Sequence, residues 1–249
     1  VALPLYDSQP TRRPPLVTYL LVAANVVVFL ITPMAGLAGG YGEGRARECA
    51  QVQFTLEHGA VPRELTSNEQ QPVPAQATAQ CRVEPYEKTP WLSAFTSMFL
   101  HSDWLHLTGN LVVLFVVGAG VEDRLGRLRY LLSYLLFGLA AVYGYAFASP
   151  DSPIPLIGAS GAIAGVLGAY LILNPRGRIV SLVPPLIVIR LPVWVVLGYW
   201  FVFQWLALGD ADSNVAYLAH IWGFLAGMAF ALVARRAGPG RRPVALSTR

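Results

Sequence analysis

Six apolar stretches of close to membrane-crossing length, set apart by polar segments, constrain this chain more than any other feature. A helix that crosses the hydrocarbon core needs about 20 mostly apolar residues, within a range of about 17–25. Residues 15–31, 105–121, 130–148, 160–173, 191–208 and 215–234 meet or approach that requirement, 160–173 being short. Of all residues, 55% are hydrophobic and 13% charged, where a soluble domain carries about 25% charged residues. This argues against a soluble enzyme, a disordered chain and a nucleic-acid binder together. Two cysteines are too few for a disulfide-dense scaffold or a four-cysteine zinc site. The expected fold class is all-α: a polytopic membrane protein built as a six-transmembrane-helix bundle. A further apolar run, 179–189, is too short to span and contains Pro184 and Pro185; it reads as a loop at the interface before the fifth span. The first span has a rival, because Arg12 and Arg13 ahead of an apolar run resemble a signal peptide. The run is long for such a peptide and five more spans follow, so a retained span is expected.

Arginine placement predicts the orientation, since basic loops stay in the cytoplasm. With the N-terminus inside, 13 of the 18 basic residues are cytoplasmic and 11 of the 14 acidic residues fall outside. The chain then divides into a cytoplasmic segment 1–14, a six-span domain 15–234 that includes an external loop 32–90, and a basic cytoplasmic tail 235–249. The tail pairs Arg235 with Arg236 and Arg241 with Arg242, which suits it to anionic lipid. Within the external loop, 63–90 is rich in Gln, Pro, Thr and Glu, a composition that predicts flexibility. Cys49 and Cys81 both lie in that loop, where an oxidising compartment would allow one disulfide; free or intermolecular thiols are the alternative. His58 is the only histidine near them, so no metal site is expected.

Ionisable side chains inside a span are costly and mark function by default. Three of the four histidines, His101, His106 and His220, fall at or within membrane segments, toward their outer ends. His106 and Asn110 share one helix face, and His101 precedes that helix by about one turn. Gly158-Ala159-Ser160-Gly161 stands where an external loop marked by Pro150, Pro153 and Pro155 meets the fourth span. Free N–H groups of a helix start therefore surround Ser160. Gly161, Gly165 and Gly168 lay a path of small residues along that helix, and Gly223 and Gly227 lay another along the sixth. Such surfaces let backbones approach closely in lipid. If the two paths face each other, Ser160 and His220 meet near the outer side as a nucleophile and its base. A serine at a helix start is more often only a cap, and the tetrapeptide alone says little. Its combination with membrane histidines on the same side carries the reading.

Together these motifs resemble the rhomboid family of intramembrane serine proteases, over roughly residues 91–234. The matching residues are H-L-T-G-N from His106 to Asn110 and G-A-G-V-E-D-R, with its Glu122 and Arg124 pair, at the inner end of the second span. G-A-S-G opens the fourth span, and A-H-I-W-G-F-L-A-G runs from Ala219 to Gly227. The resemblance implies a six-helix bacterial core in the plasma (inner) membrane of a prokaryote, with both termini cytoplasmic and the active site toward the external side. It implies Ser160 as nucleophile and His220 as general base, a dyad without an acidic third member. His106, Asn110 and the Ser160 backbone N–H would form the oxyanion hole, supported by Gly158, Gly161, His101, Gly223 and Gly227. The family often packs an aromatic ring on the base; no residue is assigned to that place. Trp91 and Leu92 stand where relatives have Trp-Arg, Ser97 where some have a further histidine, and the 32–90 loop is longer than in minimal members.

On this reading the partners are single-span or polytopic membrane-protein substrates and membrane lipid, not nucleic acid, and no cofactor or metal is required. A substrate helix hides its carbonyls in hydrogen bonds, so glycine or proline near an outer end would help it unwind. The resemblance also suggests a small residue before the cut. Access between spans two and five would pass Trp194, Tyr199, Trp200, Phe201, Phe203 and Trp205, which otherwise read as an interfacial belt. The oligomeric state stays open. Two rivals remain: a rhomboid-like binder of client helices that does not cut them, and a small transporter with histidines along its route.

Overall fold

The computed structural model describes residues 3–7, 11–183, 187–209 and 215–237. A short strand, β1 (Leu3–Asp7), leads into α1 (Leu16–Ile31). The stretch that follows folds into α2 (Arg45–His58), α3 (Pro62–Ser67), α4 (Ala75–Gln80) and α5 (Pro90–Thr96). α6 (Trp104–Leu125) and α7 (Arg127–Ala148) follow, joined by Gly126 at a φ of +80°. A proline-rich loop then delivers α8 (Ser160–Leu173), and after it come β2 (Arg178–Val183), β3 (Ile187–Pro192), α9 (Val193–Leu206) and α10 (Tyr217–Ala237).

The chain is a polytopic membrane bundle, mostly helical. Trp104–Leu125, Arg127–Ala148 and Tyr217–Arg236 are long and apolar enough to cross a membrane, while Leu16–Ile31, Ser160–Leu173 and Val193–Leu206 are apolar but shorter. α8 is the axis of the bundle. It is apolar on every side, and all residues from Gly161 to Tyr170 are buried, as expected for a helix enclosed by others. It packs most against α10, then α7 and α6. The outward faces invert the soluble pattern, with Leu20, Phe115, Leu132, Trp194 and Val202 exposed.

Two expectations change. The run at 179–189 is not a loop: β2 and β3 pair antiparallel along it, and β1 joins β2 on the other side, so a three-stranded sheet supplements the all-α bundle. The physical reason is the β-branched content of the run, Ile and Val at 179, 180, 183 and 187–189, which favours strand over helix. Pro184 and Pro185 lie outside the described residues, as does the tail from 238 to 249.

Residues 63–90 are also ordered: Leu65 packs with Ala60, Ala94, Val142 and Ala146, and polar contacts add to this. Lys88 and Glu64 form an ion pair at 2.6 Å with side chains 1% and 3% exposed. Lys88 donates further to the Leu56 carbonyl (2.8 Å), and Glu64 accepts from the Gln71 amide (3.1 Å). Burial pulls the Lys88 ammonium below its ordinary pKa, and Glu64 opposes that pull. Cys49 and Cys81 form a disulfide that ties α2 to the end of α4.

At the arginine-rich end, α6 grips α1. Pro15, at the cap position of α1, offers no side-chain bond. The buried carboxylate of Glu122 takes its place, accepting from the amides of Val17 (3.1 Å) and Thr18 (2.8 Å) and from the Thr18 hydroxyl (2.9 Å). These are donors that a helix start leaves without partners, and the negative charge suits the positive end of the helix dipole. The ion-pair neighbour of Glu122 is Arg127, its Nε 4.0 Å away.

Candidate active site

The loop 149–159 sets Ser160 at the start of α8, and the lobe built by α2–α5 holds that loop along its length. The Arg63 amide donates to the Ser152 carbonyl (3.3 Å) and its guanidinium to the Asp151 carbonyl (2.7 Å). Ala60 and Leu156 exchange both backbone hydrogen bonds, at 2.9 and 2.8 Å, as an isolated antiparallel bridge. The Gly158 amide then donates to the Ser97 carbonyl (2.8 Å). Gly158 has a φ of +123°, and a methyl there would stand 2.8 Å from His106 Nε2, so both backbone and space demand glycine.

Ser160 Oγ lies 2.9 Å from His220 Nε2. The glycines make this meeting possible. A methyl at Gly223 would fall on the Gly161 carbonyl oxygen, and one at Gly227 on that of Gly165. Where α7, α8 and α10 meet, a methyl at Gly161 would come within 2.6 Å of Ala141 of α7. α8 therefore has no slack against α7 or α10.

The second nitrogen of the base is also engaged: His220 Nδ1 is 2.7 Å from Gln204 Oε1 of α9. Trp200 lies tilted over the His220 ring at 5.9 Å between centroids, and Tyr217 meets it edge-on at 6.5 Å. No motif in the sequence points to Tyr217 or Gln204, and Trp200 reads there as part of the belt of span five. A signal existed: Gln204 is the one polar side chain with an amide in Val193–Leu206, and a buried amide in an apolar span needs partners as a histidine does.

His106 and Asn110 stand on α6. Asp103 caps that helix, accepting from the Ser102 hydroxyl (2.7 Å) and the His106 amide (2.9 Å), bonds that hold the Asp103 carboxyl below its ordinary pKa. The Ser102 backbone N–H lies 3.4 Å from His106 Nδ1. The Ser102 hydroxyl lies 3.1 Å from the same Nδ1, and Nε2 is the nitrogen beside Gly158. Asn110 is buried, and its Nδ2 has no hydrogen-bond partner among the described residues. That is an unused donor one turn along the same face. His101 is buried and meets the His106 ring edge-on at 5.0 Å, so it bears on the site through His106. Cys49 and Cys81 lie in the α2–α5 lobe. Among the described residues no group of three or more His, Cys, Asp or Glu side chains is placed to hold a metal ion.

A family model described as a Rhomboid domain matches residues 88–237. Over 140 residues the chain is 34% identical to rhomboid protease GluP of Bacillus subtilis, which covers 55% of this chain and 25% of GluP. It is 34% identical over 95 residues to rhomboid protease AarA of Providencia stuartii, covering 33% of this chain and 34% of AarA. To Rhomboid protein 1, mitochondrial, of Saccharomyces cerevisiae it is 28% identical over 155 residues, covering 57% of this chain and 41% of that protein. The chain thus spans less than half the length of each of these three relatives. The matched stretch runs from α5 to the end of α10 and contains His106, Asn110, Gly158, Ser160 and His220, and on that match the chain belongs to the rhomboid family.

Proposed function

We propose that this rhomboid is an intramembrane serine endopeptidase that hydrolyses peptide bonds in or next to transmembrane helices of membrane proteins. One observation carries the proposal: the 2.9 Å contact between Ser160 Oγ and His220 Nε2. Neutral His220 takes the Ser160 proton while Oγ attacks the scissile carbonyl. The carbonyl electron pair moves onto oxygen, where His106 Nε2–H, Asn110 Nδ2–H and the Ser160 amide are the donors. One preorganised donor of this kind is worth about 3–4 kcal/mol. His220 then passes its proton to the leaving amine, and water activated by the same nitrogen releases the acyl-enzyme.

The finer reading is part of the proposal. α1, α6, α7, α8, α9 and α10 are six crossings of a prokaryotic inner membrane, both termini are cytoplasmic and the site faces outward. The arginine bias supports this. Substrates are membrane proteins whose helices unwind near an outer end. A cavity of about 30 Å³ beside Ser160, bordered by Met98, Gly158 and Ala219, supports a small residue before the cut.

The test uses detergent-purified protein, a single-span substrate and a fluorophosphonate probe. Wild type is expected to cleave and to be labelled; Ser160→Ala is expected to do neither. Cleavage by Ser160→Ala at the wild-type rate would remove the nucleophile. For topology, an impermeant maleimide on intact cells is expected to label Gln70→Cys and to spare Gly240→Cys. The reverse pattern would put the site on the cytoplasmic side.

A further inference from the structure

Resting on the serine-peptidase reading, we infer that Gln204 of α9 is a positioning residue that fixes the tautomer and the plane of the His220 imidazole. The inference follows from what each atom is able to donate. Gln204 Nε2 lies 3.2 Å from the Trp200 carbonyl, one turn back along α9. A carbonyl oxygen only accepts, so the amide turns its NH2 toward Trp200. Its Oε1 is left for His220, 2.7 Å from Nδ1. Oε1 also only accepts, so Nδ1 carries the ring proton. In a neutral imidazole this puts the lone pair on Nε2, the nitrogen 2.9 Å from Ser160 Oγ. A base in the other tautomer would present an N–H to the serine and could not take its proton.

Packing holds the amide in that place. Gln204 is 3% exposed, and both ends of its side chain are bonded, as a polar group buried in an apolar span requires. Trp200 and Phe201, on the preceding turn, lie against Phe224 of α10 with centroids 5.8 and 4.6 Å apart, and Trp200 also covers the His220 ring. The α9 face that carries Gln204 is therefore keyed to the α10 face that carries His220. A neutral amide differs from the carboxylate of a three-member relay in one respect. When His220 becomes an imidazolium, Gln204 orients it without adding a charge, and the proton stays on Nε2 for the leaving amine.

Two substitutions separate this role from packing. Gln204→Met keeps the length and most of the volume but removes the amide; Gln204→Glu keeps an acceptor in the same place. Gln204→Met is expected to lower kcat about tenfold or more, with KM within about twofold of wild type. Gln204→Glu is expected to recover most of that loss. Both are expected to melt within a few degrees of wild type. Independently of activity, 15N NMR of histidine-labelled protein is expected to give one Nδ1–H tautomer in wild type, lost in both His220→Ala and Gln204→Met. A wild-type kcat in Gln204→Met, equal losses in Gln204→Met and Gln204→Glu, or a wild-type His220 with its proton on Nε2 would each overturn the inference. A wild type that neither cleaves nor is labelled would instead count against the peptidase reading, and the tautomer measurement would still decide the role of Gln204.

Discussion

In the proposed oxyanion site His106 and Asn110 are each one removable donor. Loss of one donor from a preorganised oxyanion site lowers kcat by about 10²–10³. His106→Ala and Asn110→Ala are therefore each expected to fall by that order with little change in KM, leaving more residual activity than Ser160→Ala. Steady-state turnover is the measurement, and wild-type kcat in both would take them out of the oxyanion role. Gly158→Ala should be harsher still, because the methyl meets both a φ of +123° and the His106 ring. It is expected to be folded but nearly inactive; full activity would contradict the crowding around His106. At this scale the sequence shows the residues whose presence in lipid is anomalous, His106, Ser160 and His220 among them. It hides those whose role is relational. Ser102 meets His106 Nδ1 through both its hydroxyl and its backbone amide, contacts made by the turn ahead of α6 rather than by any helix-face pattern, and Gln204 carries no charge to draw attention to itself.

Among the elements, α8 and α10 decide the geometry, because their glycines bring two backbones into contact. Gly227 and Gly198 make a controlled comparison. A methyl at Gly227 would collide with the Gly165 carbonyl, whereas nothing lies within 4 Å of one at Gly198 on α9. Gly227→Ala is expected to destabilise by about 1–3 kcal/mol or more and to slow fluorophosphonate labelling by moving His220 off Ser160. Gly198→Ala is expected to be neutral or to stabilise by up to about 1 kcal/mol through helix propensity. Equal melting temperatures for the two would argue against the close approach. The bounds of α8 were legible because loop prolines and Asn174 frame an unbroken apolar run. The sheet was not, because Leu3 pairs with Leu182 and nothing local to either strand announces a partner so distant in sequence.

At the scale of the whole molecule, the α2–α5 lobe and the Ser160–His220 site are one mechanical unit. The Cys49–Cys81 bond spans 32 residues, which in the chain-entropy picture stabilises the lobe by about 3–4 kcal/mol. The lobe in turn holds the catalytic loop through the Ala60–Leu156 bridge and Arg63. A Cys49→Ser/Cys81→Ser protein is therefore expected to show faster hydrogen exchange at the Leu156 amide and cleavage slowed several-fold. Unchanged exchange at Leu156 would uncouple the lobe from the loop. The buried Lys88–Glu64 pair makes the same lobe sensitive to single changes. Lys88→Met, which strands a buried carboxylate, is expected to cost about 3–5 kcal/mol, and adding Glu64→Leu is expected to restore most of it; thermal melting of both proteins is the check. Glu122 bears on how the chain is born. It stands 105 residues beyond Val17, whose amide it receives, so α1 leaves the ribosome with its first turn unsatisfied. Until α6 has been synthesised to its end, those amides lack this carboxylate, and the start of α1 is completed only by pairing with α6. Biogenesis at this end is thus not a simple succession of independent helices: the start of α1 waits for the far end of α6.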